Sequence, residues 1–126
     1  MSEAIVLFAH GSRDAGWAVP FESLASEVKK RAPQAEVALA FLELMKPSLA
    51  EAVKKLSVQN VRRVRIVPVF LAAGGHVRAD LPRLVDALRT AHPGMQFEVD
   101  APIGEQATVL AAIAESISRP GARSSR

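Results

Sequence analysis

The chain has 126 residues, only three histidines and no cysteine, so imidazole and carboxylate are the only strong transition-metal ligands it can offer. Two of the histidines sit in glycine-containing stretches that follow apolar runs. His10-Gly11-Ser12-Arg13 follows Ala4 to Ala9, and Gly74-Gly75-His76-Val77-Arg78 follows Val61 to Leu71. Imidazole suits cobalt, nickel, iron or zinc and also takes up protons near pH 7, so the pair can act as metal ligands or as bases. His10 alone is equally well read as a loop histidine bonded to a neighbouring backbone group. The pair, at matching positions, points to one shared site. His92 ends a helix and reads as a solvated residue favoured by the helix dipole.

Glu43 lies among Phe41, Leu42, Leu44 and Met45. Its carboxylate either turns to solvent or is held in a partly apolar cleft as a third ligand or proton acceptor, with a pKa set by desolvation against any nearby cation. Gly11-Ser12 and Gly74-Gly75 permit tight turns. They also expose backbone N–H groups just before expected helices, where anions are favoured. Arg13 and Arg78 can grip carboxylates through charge-assisted bonds, or simply be solvated. No local motif such as His-Glu-x-x-His is present, so the fold has to bring these positions together.

The elements that do so follow from periodicity. Ala4–Ala9 is an unbroken apolar run, the pattern of a strand covered on both faces. Trp17, Phe21, Leu24, Ala25 and Val28 recur at helical spacing up to Ala32-Pro33, where proline disfavours helix in the residue before it. Glu36–Leu42 reads as a second strand. Ser48 and Glu51 have capping-box spacing ahead of Leu49, Ala52, Val53 and Leu56. Val61–Leu71 contains a third strand, with a bulge or early end expected at Pro68. Leu81, Leu84, Val85 and Leu88 predict a third helix with Pro82 in its first turn, which leaves His76 in a loop. Gln96–Asp100 is a fourth strand, and Val109, Leu110, Ile113 and Ile117 mark a last helix. Alternating strands and helices imply an α/β fold: one three-layer domain with a four-stranded parallel sheet flanked by helices. Ligands of such sheets bind beyond the carboxyl ends of the strands, where His10, Glu43 and Gly74–His76 are expected.

Hydrophobic residues make up 49% and charged residues 23% of the chain, which suits a single globular core. The expected domain covers residues 1–118, followed by a disordered basic tail over 119–126. Three of the 16 basic residues, Arg119, Arg123 and Arg126, fall in that tail, so residues 1–118 balance 13 basic against 13 acidic groups. With one Trp, no Tyr and no basic stripe interleaved with aromatics, a nucleic-acid partner is not expected. Neither is a membrane span, because the early apolar run is far below the ~18 residues a span needs. Absent cysteine and no export signal suggest a cytoplasmic protein.

Four segments in order, His10-Gly11-Ser12-Arg13-Asp14, Phe41-Leu42-Glu43-Leu44, Pro68-Val69-Phe70-Leu71-Ala72-Ala73-Gly74-Gly75-His76-Val77 and Pro102-Ile103-Gly104, closely resemble the short CbiX-like sirohydrochlorin cobaltochelatase and ferrochelatase family, the class II chelatases. The resemblance spans residues 4 to about 117. It implies a chelatase-like, flavodoxin-related topology and ATP-independent insertion of a divalent metal (Co2+, Fe2+ or Ni2+) into sirohydrochlorin, on the way to cobalamin, siroheme or a nickel tetrapyrrole. The metal is then a substrate, and no permanently bound cofactor is expected. The resemblance also implies that His10 and His76 bind metal and assist proton removal, with Glu43 an acidic residue near the site. The substrate's peripheral carboxylates would engage Ser12, Arg13, Gly74, Gly75 and Arg78. Long members of the class carry two such domains, so a chain with one is expected to work as a homodimer enclosing the tetrapyrrole.

Two other readings stay open. A non-catalytic carrier of metal or tetrapyrrole would use the same histidines for binding alone. Histidine phosphatases also begin with a His-Gly pair, but they place arginine before the histidine, where Ala9 stands here.

Overall fold

The computed structural model describes residues 3–121. Residues 122–126 of the expected tail lie outside that range. Four strands, β1 (Glu3–Ala9), β2 (Glu36–Phe41), β3 (Arg63–Pro68) and β4 (Gln96–Val99), form one sheet in the order β2-β1-β3-β4, every pair parallel. Four helices, α1 (Val19–Arg31), α2 (Leu49–Val58), α3 (Gly75–Ala91) and α4 (Ala107–Ser118), alternate with them. The α/β architecture is the one that the alternating pattern predicts.

Alternation of side chains along the strands divides the core in two. Val6 and Phe8 of β1, with Val64 and Ile66 of β3, face α2 and α3 and pack on Val53, Leu56, Val77, Val85 and Leu88. Leu7, Ala9 and Val67 face the other way, towards Trp17, Phe21 and Ala25. Two helices therefore cover the first face of the sheet and α1 alone covers the second.

The capping box forms as expected. Ser48 Oγ accepts from the Glu51 N–H at 3.1 Å, and Glu51 Oε1 accepts from the Ser48 N–H at 2.8 Å. That backbone hydrogen bond from Ser48 is the main cause holding the Glu51 carboxyl below the usual carboxylate range. β3 ends at Pro68, which has no N–H to continue the ladder, and Val69 resumes with an N–H donated to the Phe8 carbonyl at 2.9 Å. β2 and β4 each stop one residue short of expectation, at Phe41 and Val99.

The third helix corrects the sequence reading. It begins at Gly75 rather than near Leu81, with Gly74 as its N-cap, so Pro82 lies inside the helix. Buried Val77 extends the stripe of Leu81, Val85 and Leu88 back by one turn. That apolar contact outweighs the backbone bond that Pro82 cannot donate. His76 is consequently a helical residue and not a loop residue. Gly11-Ser12 is also not at a helix start: a 3-10 turn, Ala15–Ala18, intervenes, N-capped by Asp14, whose carboxylate accepts from the Gly16 N–H at 3.0 Å.

Candidate functional site

The connection from β1 runs to β2 on one side, and that from β3 runs to β4 on the other. The two connections diverge, which opens a crevice at the carboxyl ends of β1 and β3, the usual ligand position in a doubly wound sheet. His10 is the first residue after β1, and Gly74-Gly75-His76 opens the helix that follows β3.

The half-buried His10 ring lies on Phe70, with centroids 4.5 Å apart and planes at 40°. Phe70 in turn contacts Phe8 in the core. This stacking gives the imidazole a fixed wall on one side. The β2 connection is laced to the same segment: the Leu42 N–H donates to the Ala9 carbonyl at 2.8 Å, and the Glu43 N–H donates to the His10 carbonyl at 3.0 Å. Gly11 makes this approach possible. Its φ is +97°, and a Cβ there would overlap the Glu43 carbonyl oxygen. His10, Gly11 and Glu43 are thus brought together by backbone contact, while the Glu43 side chain is exposed. Leu44 holds a positive φ of 66°, a costly conformation for a side chain of its size.

At the start of α3, His76 Nε2 is 3.0 Å from Asp80 Oδ2, four residues along the helix. Asp80 also meets the Arg83 guanidinium at 3.3 Å. A carboxylate on one ring nitrogen fixes the tautomer and leaves Nδ1 as the free lone pair, an arrangement common among metal-binding histidines. Gly74 and Gly75 have open space where a Cβ would stand, so steric need does not explain them.

The expected carboxylate-binding residues divide. Arg13 is exposed and pairs with no carboxylate among the described residues. Arg78 is occupied: Nε donates to the Ala73 carbonyl at 2.9 Å, and Nη2 donates to Glu105 at 3.2 Å. Ser12 Oγ accepts from the Asp14 N–H at 3.1 Å within its own loop. Among the described residues no group of three or more His, Asp or Glu side chains forms a ready metal cage.

Sequence reasoning missed Phe70 and Asp80. Asp80 carried a signal, the i to i+4 spacing from His76, which became visible only once the helix was known to start at Gly75. Phe70 needed the pairing of β1 with β3. Beside the crevice, between α3 and β4, runs an apolar groove of about 450 Å³ lined by Phe70, Val77, Leu81, Val85, Val99 and Pro102 among others. No helix of the described residues is long and apolar enough to cross a membrane.

The CbiX family model matches residues 4–119. The chain is 39% identical over 95 residues to the sirohydrochlorin cobaltochelatase of Methanocaldococcus jannaschii, covering 71% of this chain and 63% of that protein. It is 27% identical over 116 residues to the chloroplastic sirohydrochlorin ferrochelatase of Arabidopsis thaliana, covering 92% of this chain and 52% of that one. The match thus spans about half to two thirds of the length of these two relatives. A crystal structure from Marinobacter aquaeolei VT8, described as a CbiX protein of cobalamin (vitamin B12) biosynthesis, superposes with a TM-score of 0.81 at 37% identity, covering 91% of this chain and 93% of that one. With the family pattern running from β1 through α4 and the same fold in a related crystal structure, this chain belongs to the CbiX family.

Proposed function

We propose that the protein inserts a divalent metal into sirohydrochlorin without ATP, with His10 and His76 as metal ligands and proton acceptors and Glu43 assisting. The observation that carries this reading is His10 stacked on the Phe70 ring directly after β1, with His76 bonded to the Asp80 carboxylate at the start of the helix that follows β3. The names borne by the archaeal and plant relatives support the substrate.

Two pyrrole N–H protons must leave for each dication that enters, so charge balances only if bases face the point where the ion sheds its water. Imidazole can do both tasks in turn, giving up the metal and taking a proton. An open ligand set holds an ion in transit without trapping it, and Co2+, Fe2+ and Ni2+ all accept imidazole. Arg13, with its guanidinium unpaired, is the stronger candidate for a substrate carboxylate, and Arg78 would first have to share Glu105. Ser12 and the amides of Gly74 and Gly75 complete the rim. The working form in this reading is a homodimer, since the crevice of one domain is shallow against a broad macrocycle whose surroundings must exclude water.

The test is absorbance of sirohydrochlorin mixed with purified protein and Co2+, Fe2+ or Ni2+ separately. Many turnovers per chain support a chelatase. A spectral change that stops at one equivalent identifies a carrier instead.

A further inference from the structure

α3 starts without the supports that a helix N-terminus usually has. Its N-cap is Gly74, which offers no side-chain oxygen to the unpaired N–H groups, and its first turn holds no acidic residue. His76 and Arg78 stand there instead, so the ionisable groups of that turn are cations when charged, at the end of the helix dipole that favours anions. Gly74 and Gly75 have open space where side chains would pack, so nothing at those two positions holds the backbone that carries His76. Asp80 orients the His76 ring but rides on the same helix, and it cannot fix where the helix start lies.

The missing carboxylate comes from another part of the chain. Arg78 Nη2 donates to Glu105 Oε2 at 3.2 Å, while Arg78 Nε donates to the Ala73 carbonyl at 2.9 Å. One guanidinium thus ties together the loop before α3, the first turn of α3 and the 3-10 turn Ile103–Glu105. That 3-10 turn is itself anchored. The Gly104 N–H donates to the Phe70 carbonyl at 3.0 Å, and the backbone of Leu71 sits where a Gly104 Cβ would be. Just beyond it, the Gln106 side-chain amide donates to the Ala101 carbonyl at 3.0 Å. Phe70 is the residue whose ring stacks on His10. His10 and His76 are therefore connected, from Phe70 to Gly104 to Glu105 to Arg78, through a turn that belongs to neither histidine's own element.

We propose that Glu105 is a positioning residue, which through Arg78 holds the first turn of α3, and with it His76, in place relative to His10. Two ligands on separate segments serve one ion only if their spacing is kept, to within about 0.5 Å. The purpose of the tie rests on the chelatase reading; its existence does not. The Arg78 and Glu105 side chains are 63% and 37% exposed, so solvent screening keeps their share of global stability small and the effect is local. The same geometry gives Arg78 a task other than gripping a substrate carboxylate, because its guanidinium is already committed to a carbonyl and a carboxylate.

The two tasks give Glu105→Gln opposite signs, since it removes the carboxylate and leaves Arg78 free. If Glu105 positions His76, cobalt affinity should fall about two- to fivefold, the range an exposed ion pair can couple. Hydrogen exchange of the Arg78 amide, which donates to the Gly74 carbonyl at 3.0 Å, should quicken by a similar factor, with the Val85 and Leu88 amides further along α3 unmoved. Arg78→Gln should do the same, and the double variant should be no worse than either. Turnover should fall in kcat, with KM for sirohydrochlorin unchanged. A Glu105→Gln chain that binds sirohydrochlorin more tightly, while Arg78→Gln binds it more weakly, makes Arg78 a carboxylate grip and overturns the proposal. Losses that multiply in the double variant overturn it too, as does faster exchange with unaltered cobalt affinity. A wild type that binds cobalt but never turns over sinks the chelatase reading alone, because affinity and exchange still report the tie between Glu105 and His76.

Discussion

Asp80 Oδ2 sits 3.0 Å from His76 Nε2 across one turn of α3. If His76 handles metal, this carboxylate sets which ring nitrogen is available. Asp80→Asn keeps the shape and removes the charge, so cobalt affinity and chelation rate should fall about 10- to 100-fold. Metal titration and steady-state rates measure both, and unchanged values would free His76 of this partner.

His10→Ala and His76→Ala should each cut turnover by at least about 10²-fold, the usual size of a lost proton acceptor. Circular dichroism should report an intact fold, because His76 is exposed at a helix start and His10 lies beyond the end of β1. Glu43→Gln should be the milder lesion, its backbone contacts being retained. Near wild-type turnover in a folded histidine variant removes that residue from the mechanism.

Gly11→Ala should destabilise the protein by more than about 1 kcal/mol, since the native φ of +97° and the Glu43 carbonyl both oppose a Cβ. Activity should drop further than stability alone explains, because the His10 and Glu43 segments would be pushed apart. Urea melts and rates on the same sample separate the two effects.

Pro82→Ala should stabilise the chain by on the order of 1–3 kcal/mol by restoring a backbone donor to the Arg78 carbonyl inside α3. A decrease in the denaturation midpoint would show that Pro82 packs better than alanine there.

Glu51 predicts an acid dependence of stability. Its folded pKa is lowered from the ordinary glutamate value, chiefly by the Ser48 backbone hydrogen bond. The stability it contributes is therefore fully present above that value and is lost as pH falls through the lower folded pKa. Wild type and Glu51→Gln should differ in denaturation midpoint near pH 7 and converge towards pH 3. A constant difference across that range contradicts the assignment.

Local patterns by themselves determined four strands, four helices and a parallel α/β arrangement, because strand and helix periods are carried by neighbours within a few residues. The Ser48–Glu51 capping box was readable for the same reason, and so was the position of His10 directly after a strand. Only the tertiary structure set β1 beside β3, which puts Phe70 against His10 and opens the crevice between diverging connections. It alone revealed why Gly11 is glycine, since the Glu43 carbonyl that excludes a Cβ lies 32 positions away in sequence. The start of α3 was misjudged because Pro82 is a local signal to begin a helix, whereas burial of Val77 against the sheet is not local. That error hid the bond between His76 and Asp80. The exposed stripe of α4 was likewise beyond the pattern, which identifies an apolar face without saying which surface covers it.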